Sequence, residues 1–271
     1  SILLLCGCQA NQQPSSLTTE GEVIITGTIK NRDFYPHVEE LVLKLPFFEE
    51  GQTSYTTPIA PDNSFHFNFR LTANMCEVNI KPYIEHLYVQ PGDSIHLEID
   101  FKDMLNPVIT GSGAERNKQI TQFTEGGFYM PRYSLWNEFQ TQEEFDQVLE
   151  KAYQERLGRY EEYVQKYQPS DEVKQYIADV LKADYYQALF FHLNQFAYNQ
   201  NKEIDIHRYT NRLQEASHLL DNRTITGTFF GMAELMYNYL HLLNDRFWKG
   251  DKSLTLAEVM EPLKDTPAIP Y

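Results

Sequence analysis

Cysteine is scarce in this sequence. Of its 271 residues only Cys6, Cys8 and Cys76 carry a thiol, and the first two stand at the extreme N-terminus. Cys76 is therefore alone in the body of the chain, where no intrachain disulfide, Cys-x-x-Cys redox pair or zinc cage can be built. Beside Met75, Val78 and Ile80 that thiol reads as a buried, inert side chain more readily than as a nucleophile. Basic residues are short as well, 23 Lys and Arg against 38 Asp and Glu, for a net charge of -15. No basic run occurs anywhere, which excludes a nucleic-acid-binding surface. His-Glu-x-x-His, Gly-x-Ser-x-Gly, phosphate-loop and dinucleotide-loop patterns are all missing, so no motif declares a reaction.

Apolar residues, by contrast, are plentiful. They make up 42% of the chain, with 18 Tyr and 17 Phe, enough to fill the cores of two ordinary domains. The first eight residues, Ser1-Ile-Leu-Leu-Leu-Cys-Gly-Cys8, are too short and apolar to be a fold element. They resemble the end of a bacterial lipoprotein signal peptide, with Leu5, Cys6 and Gly7 preceding the modified Cys8, and with the chain beginning inside the signal. Acyl chains on Cys8 would anchor the protein stably in a membrane. Residues 9–20, polar and without periodicity, read as a flexible tether. Gln rather than Asp after Cys8 points, in that pattern, to the outer membrane of a Gram-negative cell envelope, facing the periplasm.

From Gly21 to about residue 112 the hydrophobic period is two. Candidate strands are Val23–Ile29, Leu41–Leu45, Ser54–Ile59, Phe65–Leu71, Cys76–Ile80, His86–Val89, Ile95–Phe101 and Val108–Thr110. Ala60-Pro-Asp-Asn63 has the residues of a type I turn, and Pro91-Gly92-Asp93 forms a second tight turn. Short strands with turn signals every ten or so residues predict an antiparallel β-sandwich over 21–112.

From residue 113 to 271 the period becomes helical, which completes an α+β chain: a β-sandwich followed by an all-helical domain. Thr141-Gln-Glu-Glu144 is a capping box. The stripe Phe145, Val148, Leu149, Ala152, Leu157, Tyr160, Val164 and Tyr167 comes after it, and Pro169-Ser170 breaks the helix. Val173, Ile177, Val180, Leu181, Tyr185, Leu189, Leu193 and Phe196 mark a second helix. Further helices are expected over Ile206–Leu220 and Phe229–Phe247 and from Thr255 onward. The end at Tyr271 carries no terminus signal, so the helical domain reads as cut at its C-terminal end.

Some residues invite a chemical reading. His66 and His96 lie on the outward faces of predicted strands and could share a metal if those strands pair. No third ligand is fixed by spacing, and two solvated histidines explain the pattern more simply. His192 and His241 sit beside apolar stripes, as a general base or as hydrogen-bonded core histidines. Glu143-Glu144, Glu161-Glu162 and Asp184 are not paired carboxylates for glycoside cleavage, because adjacent helical residues point in different directions. Tyr185, Tyr186, Phe190, Phe191, His192, Phe196 and Tyr198 crowd one helix, which implies either burial on two faces or a groove for a protein or small ligand.

Five pieces in order carry a family resemblance: the lipobox at Leu5 to Cys8, Gly21-Glu-Val-Ile-Ile-Thr-Gly-Thr-Ile29, Asp62-Asn-Ser-Phe-His-Phe67, Val89-Gln-Pro-Gly-Asp-Ser-Ile95 and Thr110-Gly-Ser-Gly-Ala-Glu-Arg-Asn117. This order resembles the N-terminal region of envelope lipoproteins related to the TlpA/ResA thiol-disulfide oxidoreductases. There a DUF4369-like β-sandwich and a helical segment precede a thioredoxin-like domain. The resemblance implies a non-catalytic scaffold or binding region, with partners in the membrane, a protein client or its own downstream thioredoxin-like domain. It implies no cofactor for these residues. The family's Trp-Cys-x-x-Cys is missing, since neither Trp136 nor Trp248 is followed by cysteines, and no catalytic residue carries over. A stand-alone lipoprotein that binds its ligand between sandwich and helices is the alternative.

Overall fold

The computed structural model describes residues 20–45, 54–71, 75–81, 84–128, 141–200, 206–209, 211–212 and 215–216. Eight strands come first: β1 (Gly21–Lys30), β2 (Glu40–Lys44), β3 (Ser54–Pro58), β4 (Ser64–Leu71), β5 (Cys76–Lys81), β6 (Ile84–Val89), β7 (Ser94–Asp100) and β8 (Asp103–Gly111). Three helices succeed them, α1 (Ala114–Thr124), α2 (Gln142–Tyr167) and α3 (Asp171–Gln200). The chain is α+β, as its periodicities require.

The strands form two sheets of order β4-β1-β7-β8 and β3-β2-β5-β6. Alternation decides their facing. Phe65, Phe67, Phe69 and Leu71 of β4 are buried while His66, Asn68 and Arg70 are exposed. With Val23, Ile25, Ile95, Leu97 and Ile99 they meet Leu41, Leu43, Val78, Ile80 and Leu87 of the other sheet in one core. Gly27 makes room for this packing. A Cβ there would stand 2.2 Å from the Phe65 ring and 2.5 Å from the Leu97 carbonyl oxygen.

The expected antiparallel sandwich needs one correction. β1 pairs with β7 in parallel, Ile25 opposite Ile95 and Gly27 opposite Leu97. The long connection between them supplies β2 to β6 first, and β7 returns to the first sheet in the direction of β1.

The helical part obeys its signals closely at the ends. Thr141 caps α2, its hydroxyl accepting from the Glu144 N–H at 3.1 Å. Gln168 closes the helix in the left-handed region at φ 45°, and its N–H bonds the Val164 carbonyl at 3.0 Å. α3 then returns alongside α2. Their seam differs from the expected stripe, because Val148 is 41% exposed whereas Tyr163 and Arg156 are buried. A strict spacing of three and four drifts around a helix of 26 residues, so one face cannot serve its full length. The expected helix over Ile206–Leu220 begins as a 3-10 turn, Ile206–Tyr209, with helical residues at 211–212 and 215–216. The expectations for Cys8 and the tether through residue 19, for Phe229–Phe247 with His241, and for Thr255 onward lie outside the described residues, as do the side chains of Phe196 and Tyr198. No described helix is long and apolar enough to cross a membrane.

Candidate functional site

The turn between β6 and β7 is where the elements of the chain converge. Pro91 and Gly92 occupy its centre, with Gly92 at φ 90°, and the Asp93 N–H closes it on the Gln90 carbonyl at 3.1 Å. This is the type II arrangement, which demands a residue free to take positive φ at the third position. Its backbone also holds the start of β1. Gly92 N–H donates to Glu22 O at 2.9 Å, and Ile24 N–H to Asp93 O at 2.9 Å.

The Asp93 side chain ties the turn to the entry of α1. Its carboxylate accepts two bonds from the Arg116 Nη2, at 2.9 and 2.7 Å, one from the Ser112 hydroxyl at 3.1 Å and one from the Gln90 N–H at 2.8 Å. Both charged side chains are almost wholly buried, 5% exposed for Arg116 and 3% for Asp93. The lone pairs of the carboxylate are matched, as a buried ion pair requires, while the Arg116 Nε and Nη1 have no hydrogen-bond partner among the described residues. On its other side the Arg116 Nη1 lies 3.7 Å from Glu172 in the first turn of α3. One guanidinium thus faces carboxylates from the sandwich and from the helical hairpin.

One residue on, Asn117 does for β6 what a ninth strand would. Its amide donates to the Tyr88 carbonyl at 2.8 Å and accepts from the Tyr88 N–H at 2.8 Å, with a further bond to Gly113 O at 2.9 Å. The side chain therefore covers part of a sheet edge that would otherwise bury unpaired backbone groups. Around it Met75 and Tyr88 of the sandwich join Ile120, Phe123, Tyr163, Val173, Tyr176 and Ile177 in a second apolar core. Tyr88 and Tyr176 meet edge to face at 5.6 Å. Among the described residues, these side chains pack between sandwich and helices.

The histidine pair takes a different position from the one that would make a metal site. Thr26 of β1 is opposite both His66 of β4 and His96 of β7, so a full strand separates the two imidazoles. The strands that carry them do not pair, and the His96 Nδ1 is engaged with the Thr26 hydroxyl at 3.0 Å. Among the described residues no group of three metal-capable side chains converges. Cys76 is buried at the start of β5, in the sandwich core.

The aromatic residues of α3 do come together, and mostly inside. Tyr185, Tyr186 and Phe190 are buried, Tyr186 stacking on Phe190 at 6.0 Å, whereas Phe191 is 42% exposed. His192 is half-buried against Phe145 at 5.7 Å, and burial pulls its pKa below the usual value. The hydroxyl of Tyr186 donates to Glu215 and that of Tyr185 to Glu150, the latter at 3.4 Å. Burial above all pushes both phenols up, Tyr185 to about 12 against the opposing pull of Arg212, and the facing carboxylates add to the rise. Arg156, which no apolar pattern could flag, is buried beside them and pairs with Asp184 at 3.3 Å. Neutral, hydrogen-bonded tyrosines of this kind bind and brace; they do not supply a base at neutral pH. A concavity of about 440 Å³ over Gly21, Glu22, Tyr55, Asn68, Phe69 and Arg70 opens at the start of β1. Set beside known proteins, the chain matches no family model and no curated sequence.

Proposed function

We propose that this chain is the membrane-anchored, non-catalytic scaffold region of a cell-envelope lipoprotein, the N-terminal part of a thioredoxin-like thiol-disulfide oxidoreductase. Lipid on Cys8 holds it at the outer membrane, on the periplasmic side. The sandwich and helices present the downstream thioredoxin-like domain, and a protein client, at a fixed place. The observation that supports this reading is the turn at 90–93. The residue that succeeds the tether, Gly21, lies against Pro91, where a Cβ on the glycine would be 2.9 Å from the Pro91 Cβ. Through Asp93 and Arg116 the same turn is bound to α1, and Asn117 binds Tyr88 of β6 just before it. An anchor, a sandwich and a helical arm joined at one buried polar knot make a rigid spacer. Two of its parts, the Gln90–Asp93 turn and the Gly111–Asn117 segment, are also pieces of the resemblance to the oxidoreductase lipoproteins.

Two measurements test the proposal. Cys8→Ser should abolish incorporation of labelled palmitate and move the protein out of the membrane fraction. The reading frame past Tyr271 should encode a thioredoxin-like domain with Cys-x-x-Cys. A frame that stops shortly after Tyr271, or runs on without that pair, refutes the oxidoreductase assignment.

A further inference from the structure

The residues after α3 meet the hairpin through a pattern of charges that runs in register. Arg208 pairs with Glu143 and, through Nε at 3.0 Å and Nη2 at 2.9 Å, with Asp146. Arg212 reaches the other oxygen of Asp146 at 3.2 Å. Further along, Glu215 accepts from Tyr186 and lies 4.0 Å from Lys182. The segment therefore reads plus, plus, minus against minus, minus, plus on α2 and α3. Beneath the charges the contact is aromatic. Tyr209 is fully buried and accepts from Gln142 at 3.3 Å, and the Arg212 guanidinium lies 6.0 Å from the Tyr185 ring and 5.8 Å from that of Tyr209.

We infer that Arg208, Tyr209, Arg212 and Glu215 form a strap that shields the aromatic seam of α3, with Asp146 as its catch. Three features of the geometry carry this. Among the described residues, Asp146 is the carboxylate on which both arginines converge. The guanidinium side chains keep about a third of their surface in water, 35% for Arg208 and 31% for Arg212, while Asp146 is 13% exposed, so the arginine ends of these pairs are open to screening by salt. The strap begins as a separate 3-10 turn, Ile206–Tyr209, a form used in short connecting pieces. By contrast the α1 joint rests on a buried ion pair and an amide that replaces a strand. Segments held by water-exposed pairs open before the rest of the fold, and here Tyr209 is the buried side chain that opening must expose. Opening of the strap uncovers Tyr185 and Tyr186, with Phe190 stacked behind. This deepens the scaffold reading, since that seam would be where a client is held.

Hydrogen exchange on the whole chain, with Asp146→Asn and Arg212→Gln singly and together, reads the strap directly. Each single variant should speed exchange at 206–216 about fivefold, which corresponds to roughly 1 kcal/mol for the lost charge pairing. The double variant should add little to Asp146→Asn alone, because that variant already removes the Arg212 contact along with the one to Arg208. Binding of the dye ANS should rise in parallel, while protection of α1 (Ala114–Thr124) and the sandwich stays unchanged as an internal control. Exchange at 206–216 that ignores Asp146→Asn overturns the strap. So does loss of protection at 206–216 together with α1, since the segment would then belong to the global folding unit. Exchange reports opening and needs no client, so the strap and the scaffold reading fail separately.

Discussion

Asn117→Ala is the substitution that interrogates the joint between sandwich and helices most directly. The residue is 2% exposed, and its amide makes three hydrogen bonds. Loss of the bond to Gly113 matters least, because that carbonyl keeps the helical N–H of Asn117 itself at 3.0 Å. The N–H and carbonyl of Tyr88, however, both lose this partner in a setting that water does not reach. A buried backbone group deprived of its partner costs about 1–3 kcal/mol, so the two together predict about 3 kcal/mol. For a chain of this size that is roughly 6–12 °C in Tm. Urea and thermal unfolding followed by circular dichroism would measure it. Asn117→Asp is the informative control: a carboxylate still accepts from the Tyr88 N–H but cannot donate to the Tyr88 and Gly113 carbonyls. It should be at least as harmful as alanine. A loss below about 1 kcal/mol for Asn117→Ala would refute the view that this side chain closes the edge of β6.

Asp93→Asn and Arg116→Met should each destabilise by about 3–5 kcal/mol, since either leaves a buried charge without its partner, while the double variant should lose less than the two losses combined; additivity in denaturant unfolding would show that the pair is not coupled. Gly111→Ala should destabilise by more than about 2 kcal/mol, given about 1–2 kcal/mol for placing a side chain at positive φ. Its φ is 98°, and a Cβ there would stand only 2.1 Å from the Ser94 carbonyl oxygen, so a neutral result in the same assay would mean that the end of β8 is free to shift. Burial pushes the Tyr163 phenol from 10.0 up to about 12, its hydroxyl donating to Gln119 O at 2.8 Å. The unfolded phenol ionises first, so this residue's contribution is fully present below pH 10 and is lost as pH rises through about 12; phenolate absorbance at about pH 11 that includes Tyr163 in a still-folded protein would contradict it.

The strands and helices are legible wherever a short-range period records which face is buried. All eight strands and the ends of α2 come from alternation, a capping box and a proline. Alternation cannot record which strand lies beside which, and that is why the parallel neighbour of β1 departs from expectation. His66 and His96 illustrate the same limit. Their outward facing is readable from the pattern, but only the sheet order shows Thr26 between them. The crowding of Tyr185, Tyr186 and Phe190 is plain in the sequence, whereas the burial of these three and the exposure of Phe191 are not. Arg156 and Arg116 are hidden for another reason: a charged residue inside a helix reads as surface, and only a partner distant in sequence reverses that. The Gly111–Asn117 segment is visible as a motif, yet its meaning depends on Tyr88 and Asp93, which lie on either side of the 90–93 turn's apex.

That dependence bears on how a tethered protein would carry load. β1 begins at Gly21, so in the scaffold reading tension from a tether would enter the sandwich where it faces the Gln90–Asp93 turn. The two backbone bonds from the turn to Glu22 and Ile24 take it up, and Asp93 passes it to Arg116 within a single side-chain contact. A path to the helical hairpin therefore runs through the turn, beside the ladder of β1 with β4 and β7. Burial of the ion pair fits that role, for a solvated pair worth under about 1 kcal/mol would be the first contact to part. In the scaffold reading, the sandwich stabilises the turn, and the turn sets the direction in which α1 leaves. Weakening Asp93 should consequently loosen the orientation of the helices before it melts either core, a separation that spin-label distances between β2 and α3 in Asp93→Asn would detect. A distance distribution as narrow as that of the unaltered protein would place the rigidity instead in the packing of Met75, Tyr88 and Tyr176.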